Sequence, residues 1–192
     1  MSVPAKPVGS ASSSTLGVRW VFLDRDGTLN VKPPNGEYVE LPEALELLPG
    51  AAQAVKMLNR AGLWTGVVTN QRGVALGRMS TEDLDAVHER LEYLLHRQGA
   101  FLEAIYACPH EIGVCNCRKP GPGLLLEARR EQPALAFEDA AIVGDSLSDM
   151  QAGRSLGLRT VLVGQEGAGN AAVRLADHVV ADLLEAARLL IG

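Results

Sequence analysis

Three mainly apolar runs, Val21-Phe22-Leu23, residues 63–68 (in which Thr65 is the one polar side chain) and residues 140–144, each stop at a polar side chain: Asp24, Thr69 and Asp145 respectively. Runs that do not alternate read as strands buried on both faces, the signature of a parallel sheet. Helical periods lie between them. Ala51, Ala54, Val55 and Leu58 form one stripe that stops before Gly62, and Leu84, Val87, Leu91, Leu94 and Leu95 share a face over residues 81–98, with Ser80 or Thr81 as the cap. Ile105-Tyr106-Ala107 reads as a further strand and residues 123–130 as a helix after Pro120-Gly121-Pro122. Helix, strand, and strand plus helix are then expected over residues 149–156, 160–164 and 179–190. This alternation predicts an α/β fold, a doubly wound, mostly parallel sheet with helices on both faces. Such sheets bind ligands at the carboxyl ends of their strands, where Asp24, Thr69 and Asp145 sit.

Composition narrows the class of protein. A chain of 192 residues with 47% hydrophobic content suits one domain with an ample core, expected over residues 18–192. Residues 1–17 are rich in Ser, Ala and Pro and lack the apolar centre of a secretory signal, so a disordered tail and a cytoplasmic location are expected. No run approaches the ~18–20 apolar residues of a membrane span. The net charge of −5 argues against nucleic acid as a partner. A small-molecule substrate remains, and no dimer seam is evident, so a monomer is expected.

The motifs supply the chemistry. Asp24 and Asp26 flank one residue at a strand end, with Gly27 where the chain turns. If the chain stays extended, both acids share a face, and a hard cation such as Mg2+ relieves their repulsion. Asp24 is then placed to attack phosphorus and Asp26 to act as acid and base. Taken alone, the same motif also describes a turn with two solvated acids. Thr69-Asn70-Gln71 offers a hydroxyl and amides to phosphate oxygens, and Arg72 adds a cation suited to a second phosphate. Lys119 suits a phosphate as a point charge, and Arg118 suits forked contacts elsewhere on the substrate.

All three cysteines of the chain, Cys108, Cys115 and Cys117, lie close together with His110 among them. Three thiolates and one imidazole form a closed tetrahedral Zn2+ site of the structural type. The odd cysteine count argues against a disulfide framework. The alternative is three unrelated buried cysteines and a surface histidine. Bound zinc braces the loop and aims Arg118 and Lys119. His88 and His96 have no other ligand type at metal spacing and read as helix-surface residues.

These motifs, in this order, resemble the haloacid dehalogenase superfamily of phosphatases: Asp24-Arg25-Asp26-Gly27-Thr28, then Thr69, Lys119, and Gly144-Asp145 with Asp149. Thr69-Asn70-Gln71, Cys108-Pro109-His110 and Cys115-Asn116-Cys117-Arg118-Lys119-Pro120 are similar to the branch containing D-glycero-D-manno-heptose 1,7-bisphosphate 7-phosphatase and histidinol-phosphate phosphatase. The resemblance implies catalysis by Asp24, Asp26, Thr69 and Lys119. It implies Mg2+ held by Asp24, Asp145 and the main-chain carbonyl of Asp26, with Asp149 supporting the ion's water shell or its ligands. Gly36 and Tyr38 fall in the substrate loop, and Asn70, Gln71, Arg72 and Arg118 complete the expected substrate contacts. The intervals from Asp26 to Thr69 and from Thr69 to Lys119 are largely filled by core elements, so no separate cap domain is expected. The sequence departs from the branch at Ser146, where a lysine is common, and in the short loop between His110 and Cys115. The expected reaction is removal of the 7-phosphate of the heptose bisphosphate. Histidinol phosphate is the alternative substrate, and a non-catalytic, zinc-braced binding domain is the alternative of another class.

Overall fold

A computed structural model describes residues 16–164 and 169–192. The expected disordered tail lies outside these residues except at Leu16 and Gly17, and the Leu16 carbonyl accepts a hydrogen bond from Arg159 at 3.1 Å.

Six parallel strands form one sheet: β1 (Trp20–Leu23), β2 (Trp64–Asn70), β3 (Ala104–Cys108), β4 (Ala140–Gly144), β5 (Arg159–Val163) and β6 (His178–Val180). Their order is β3-β2-β1-β4-β5-β6. Helices α1 (Ala51–Arg60), α2 (Thr81–His96), α3 (Gly123–Glu131), α4 (Leu147–Leu156), α5 (Gly169–Leu175) and α6 (Leu183–Ile191) alternate with the strands. Every residue of β1 and β4 is buried, as unbroken apolar runs require of central strands.

The period of two along each strand divides the core. Val21 and Leu23 of β1 and Ala141 and Val143 of β4 pack with α1, α2 and α6 on one face. Trp20, Phe22, Ala140 and Ile142 pack on the other, against Leu124, Leu125 and Ala128 of α3 and Ala152 of α4. The chain therefore winds outward from β1 with α1 and α2 on one face. It then crosses to β4 and winds the other way with α3, α4 and α5 on the opposite face. The reversal leaves a crevice between the carboxyl ends of β1 and β4, where the Asp24 main-chain N–H still donates to the Val143 carbonyl at 2.9 Å. Among the described residues, the connection from β1 to β2 contains only a loop, a short 3-10 turn and α1, and that from β2 to β3 contains α2, so no cap domain covers the crevice.

Two features differ from the sequence reading. Helix α5 was not expected, because a seven-residue element with only Ala172 buried has no apolar stripe to announce it. His88 is less open than a helix-surface residue. It is half-buried, its Nε2 has no protein partner, and burial together with the nearby Arg25 charge pushes its pKa down to about 4. His96 is exposed, as expected.

Helix α4 approaches the sheet closely at Gly153, where a Cβ would collide with Ile142 and lie 2.9 Å from Thr160 Cγ2. Gly153→Val should therefore destabilise the fold by about 1–3 kcal/mol, the usual cost of overpacking. Denaturant unfolding checks this, and an unchanged midpoint would mean that α4 can move away freely.

Candidate active site

The crevice is organised by one buried ammonium group. Lys119 is 4% exposed, and its Nζ donates to the Val68 carbonyl at 2.7 Å, to Asp149 Oδ1 at 2.5 Å and to Asp24 Oδ1 at 2.9 Å. Burial alone would lower its pKa, but Asp149 and Asp24 outweigh that and hold it above the ordinary range. The ammonium thus ties the end of β1 to β2 and to α4.

Asp145 completes a group of acids. One carboxylate oxygen from each of Asp24, Asp145 and Asp149 lies within 4.8 Å of the others. Glycines permit this approach: a Cβ on Gly144 would collide with Asp149, and one on Gly27, whose φ is +85°, would collide with Asp145. Burial, with Asp149 beside it, pushes the Asp24 carboxyl above its usual range, against the pull of Lys119. Burial also raises Asp145, against the pull of Lys32. Asp145 Oδ1 is buried without a partner. Crowded carboxylates, raised pKa values and an orphaned oxygen fit a hard divalent cation with oxygen ligands.

The Asp26 carboxylate is not part of this group. It accepts from Arg25 Nε at 3.3 Å and from Arg25 NH2 at 3.1 Å. Asn30 Nδ2 donates at 2.9 Å and Gln71 Nε2 at 2.8 Å. The chain turns directly after Asp24, so the extended geometry that would aim both acids at one ion does not form. Asp149 takes the place in the carboxylate group that a side-chain role for Asp26 would fill. The Asp26 main chain stays at the strand end, where its carbonyl is the group expected to meet a metal.

The second motif divides its work. Gln71 is fully buried and donates to both Asp26 and Thr69 Oγ1, the latter at 2.9 Å, so it positions those two groups and does not line the cleft. Asn70 lines the cleft, but its side chain exchanges two 3.0 Å hydrogen bonds with the Lys119 main chain. Arg72 does not reach the cleft, because it pairs with Glu111 of the cysteine loop at 2.5 Å. Gln71 and Arg72, from which substrate contacts are expected, are therefore placed outside the cleft lining. Each had a nearer partner that spacing along the chain does not reveal.

Asp24, Asp26, Thr69, Asn70, Arg118, Lys119 and Asp145 all line one cleft of about 280 Å³. Residues 32–38 form its rim, Gly36 and Tyr38 among them. Lys32 lies on this rim too, and its Nζ donates to Asp145 Oδ2 at 2.6 Å. Ser146 also lines the cleft, and its Oγ donates to Asp149 Oδ2 at 2.5 Å.

Beside the cleft, the donor atoms of Cys108, His110, Cys115 and Cys117 all lie within 4.8 Å of one another. Cys117 Sγ is 3.1 Å from Cys115 Sγ and 3.2 Å from both Cys108 Sγ and His110 Nδ1. The hydrogen bond from Cys117 pulls the Cys115 thiol down to about 6, while burial pushes Cys117 up to about 12. Three sulfurs and an imidazole nitrogen at this spacing fit a tetrahedral metal such as Zn2+. The chain is tightly folded from this cluster into α3. The Gly123 N–H donates to the Asn116 carbonyl at 3.1 Å, and a Cβ at Gly121 or Gly123 would lie 2.6 Å from that oxygen.

A parallel sheet with an aspartate at the reversal point, a buried lysine and converging carboxylates is the arrangement of a phosphoryl-transfer enzyme. The family model described as "HAD-hyrolase-like" matches residues 116–186. The D-glycero-beta-D-manno-heptose-1,7-bisphosphate 7-phosphatase of Rhodopseudomonas palustris is 37% identical over 145 residues, covering 71% of this chain and 78% of that protein. The D-glycero-alpha-D-manno-heptose-1,7-bisphosphate 7-phosphatase of Mycobacterium bovis is 42% identical over 137 residues, covering 70% and 72%. Among solved structures, the D,D-heptose 1,7-bisphosphate phosphatase of B. bronchiseptica, complexed with magnesium and phosphate, superposes with a TM-score of 0.80 at 32% identity, covering 90% of this chain and 98% of that one. The chain belongs to the haloacid dehalogenase-like phosphatases, in the branch that contains the heptose bisphosphate 7-phosphatases.

If the cysteine loop is braced by zinc, stripping the metal and then restoring Mg2+ should lower kcat/KM by about 10–100-fold, with a fall in Tm. Metal analysis, calorimetry and turnover on one sample check this. Full turnover at an unchanged Tm would remove the bracing role.

Proposed function

We propose that this enzyme removes the 7-phosphate of D-glycero-D-manno-heptose 1,7-bisphosphate through an aspartyl phosphate on Asp24. The observation that carries the reading is the separate wiring of the two aspartates. Asp24 is tied to Lys119 and grouped with Asp145 and Asp149, whereas Asp26 is held by Arg25, Asn30 and Gln71. Environments that differ in this way assign two carboxylates to two roles.

Asp24, Asp145 and the main-chain carbonyl of Asp26 would hold Mg2+, with Asp149 fixing Lys119 and supporting the ion's surroundings. When bound, the ion offsets the carboxylate charge and draws electron density from the phosphoryl oxygens. Asp24 attacks phosphorus in line as Asp26 gives a proton to the departing sugar oxygen. Lys119 is fixed by three acceptors and meets the equatorial charge without reorganising. The Thr69 hydroxyl accepts from Gln71, which leaves its own proton for a phosphoryl oxygen. Asp26 then takes a proton from the water that hydrolyses Asp24–phosphate.

Substrate choice rests on the rim. Lys32 and Arg118 line the cleft, and Arg118 NH1 is buried without a partner, so a second phosphate suits this rim better than the amine of histidinol phosphate. The naming of similar enzymes as heptose bisphosphate phosphatases supports the same choice. We read the cysteine site as zinc with a structural role, since it offers a closed ligand set. Free cysteines at a metal-type site suit a reducing cytoplasm, and no described helix is long and apolar enough to cross a membrane. One chain supplies every group invoked, so a monomer is sufficient for activity.

Phosphate release from each heptose 1,7-bisphosphate anomer, compared with histidinol phosphate, tests the proposal. A kcat/KM highest on a heptose bisphosphate is expected. Preference for histidinol phosphate would replace the substrate, and no release from any of them would reject the assignment. Asp26→Asn should lower kcat by about 10²–10⁴-fold while the protein still binds substrate. Unchanged turnover would remove Asp26 from proton transfer.

A further inference from the structure

The charges in the cleft are unequally tethered. Lys119 has three acceptors and is buried. Lys32 has a single acceptor, Asp145 Oδ2, and its side chain is 51% exposed. It arrives on the irregular segment after β1, from a position 113 residues away in sequence. Its ammonium sits on one oxygen of the very carboxylate whose other oxygen, Oδ1, is buried without a partner. Ser146, which follows Asp145, is turned toward Asp149 and Ser148, and Arg72 is engaged with Glu111. Lys32 is therefore the cation at this end of the cleft that can change partners without breaking the core.

We infer that Lys32 is a displaceable counter-ion of the carboxylate site, which releases Asp145 to a divalent cation and turns to the phosphate group that enters with it. This inference rests on the Mg2+ site proposed above. Three carboxylates and one fixed ammonium leave an excess of negative charge, which Lys32 moderates from the rim. A divalent cation provides that neutralisation more strongly and competes for Asp145. The freed ammonium then faces a dianionic phosphoryl group across the cleft, where a charge-assisted hydrogen bond is favourable. Lys32 thereby contributes a phosphate contact from the loop after β1, at a site where the position after Asp145 offers only a hydroxyl.

Calorimetric titration of the wild type, Lys32→Gln and Lys32→Arg tests this, first with Mg2+ alone and then with inorganic phosphate at saturating Mg2+. Losing a half-exposed competitor should tighten Mg2+ binding by Lys32→Gln about two- to fivefold. Losing a charged donor should weaken its phosphate binding about tenfold, and Lys32→Arg should recover most of that loss. In turnover, Lys32→Gln should raise KM more than it lowers kcat. Unchanged or weaker Mg2+ binding in Lys32→Gln, or unchanged phosphate binding, would overturn the inference and leave the ion pair a surface contact. Matching Tm values for the three proteins establish that any change is local. A wild type that binds no Mg2+ would overturn the metal site and this inference together. A wild type that binds Mg2+ and phosphate but spares heptose bisphosphate would overturn only the substrate.

Discussion

The buried ammonium of Lys119 is the contact on which the site depends. It joins Asp24 at the end of β1, the Val68 carbonyl of β2 and Asp149 in the first turn of α4. A charge without water is tolerated only when paired and hydrogen-bonded, and here every proton of the ammonium has an acceptor. Removing Lys119 would leave Asp24 and Asp149 buried and facing each other unneutralised. In the proposed reaction the same group would serve catalysis, because a cation already fixed need not reorganise as charge spreads over a phosphoryl group. Stability and chemistry therefore place the same demand on this residue.

From that anchor the two aspartates acquire different chemistry. Asp24 lies on the side of Lys119, Asp145 and Asp149. Asp26, two residues on, turns toward the fully buried Arg25, Asn30 and Gln71. Gln71 links this second set to Thr69, so the Asp26 carboxylate and the Thr69 hydroxyl share one support. The cysteine loop acts at longer range. Its metal-type cluster precedes Arg118 and Lys119 directly, and Asn70 clasps the Lys119 main chain from β2.

Much of this was legible in the sequence because buried parallel strands leave unbroken apolar runs, and the residues that end those runs are the ones at the crevice. Asp24, Thr69 and Asp145 are such residues, and the cysteine spacing carried its own chemistry. The features that were not legible depend on partners distant along the chain. Arg72 looks like a free cation in sequence, yet Glu111, 39 positions on, takes it. Gln71 looks like a substrate donor, yet its amide is spent on Asp26 and Thr69. Lys32 lies in a segment with no period to place it, and only the fold brings it to Asp145. His88 belongs to a helix whose polar face was expected to be wet, but it is half-buried in the neighbourhood of Arg25.

The division of labour between Asp24 and Asp26 is the central claim, and trapping the covalent intermediate tests it most directly. Enzyme mixed with Mg2+ and heptose 1,7-bisphosphate would be quenched in acid within a single turnover, digested and mapped by mass spectrometry. The account predicts a phosphoryl group on Asp24, with none formed when Asp24 is replaced by Asn. A phosphoryl group on Asp26, or Asp24→Asn protein that still releases phosphate at the wild-type rate, would contradict it.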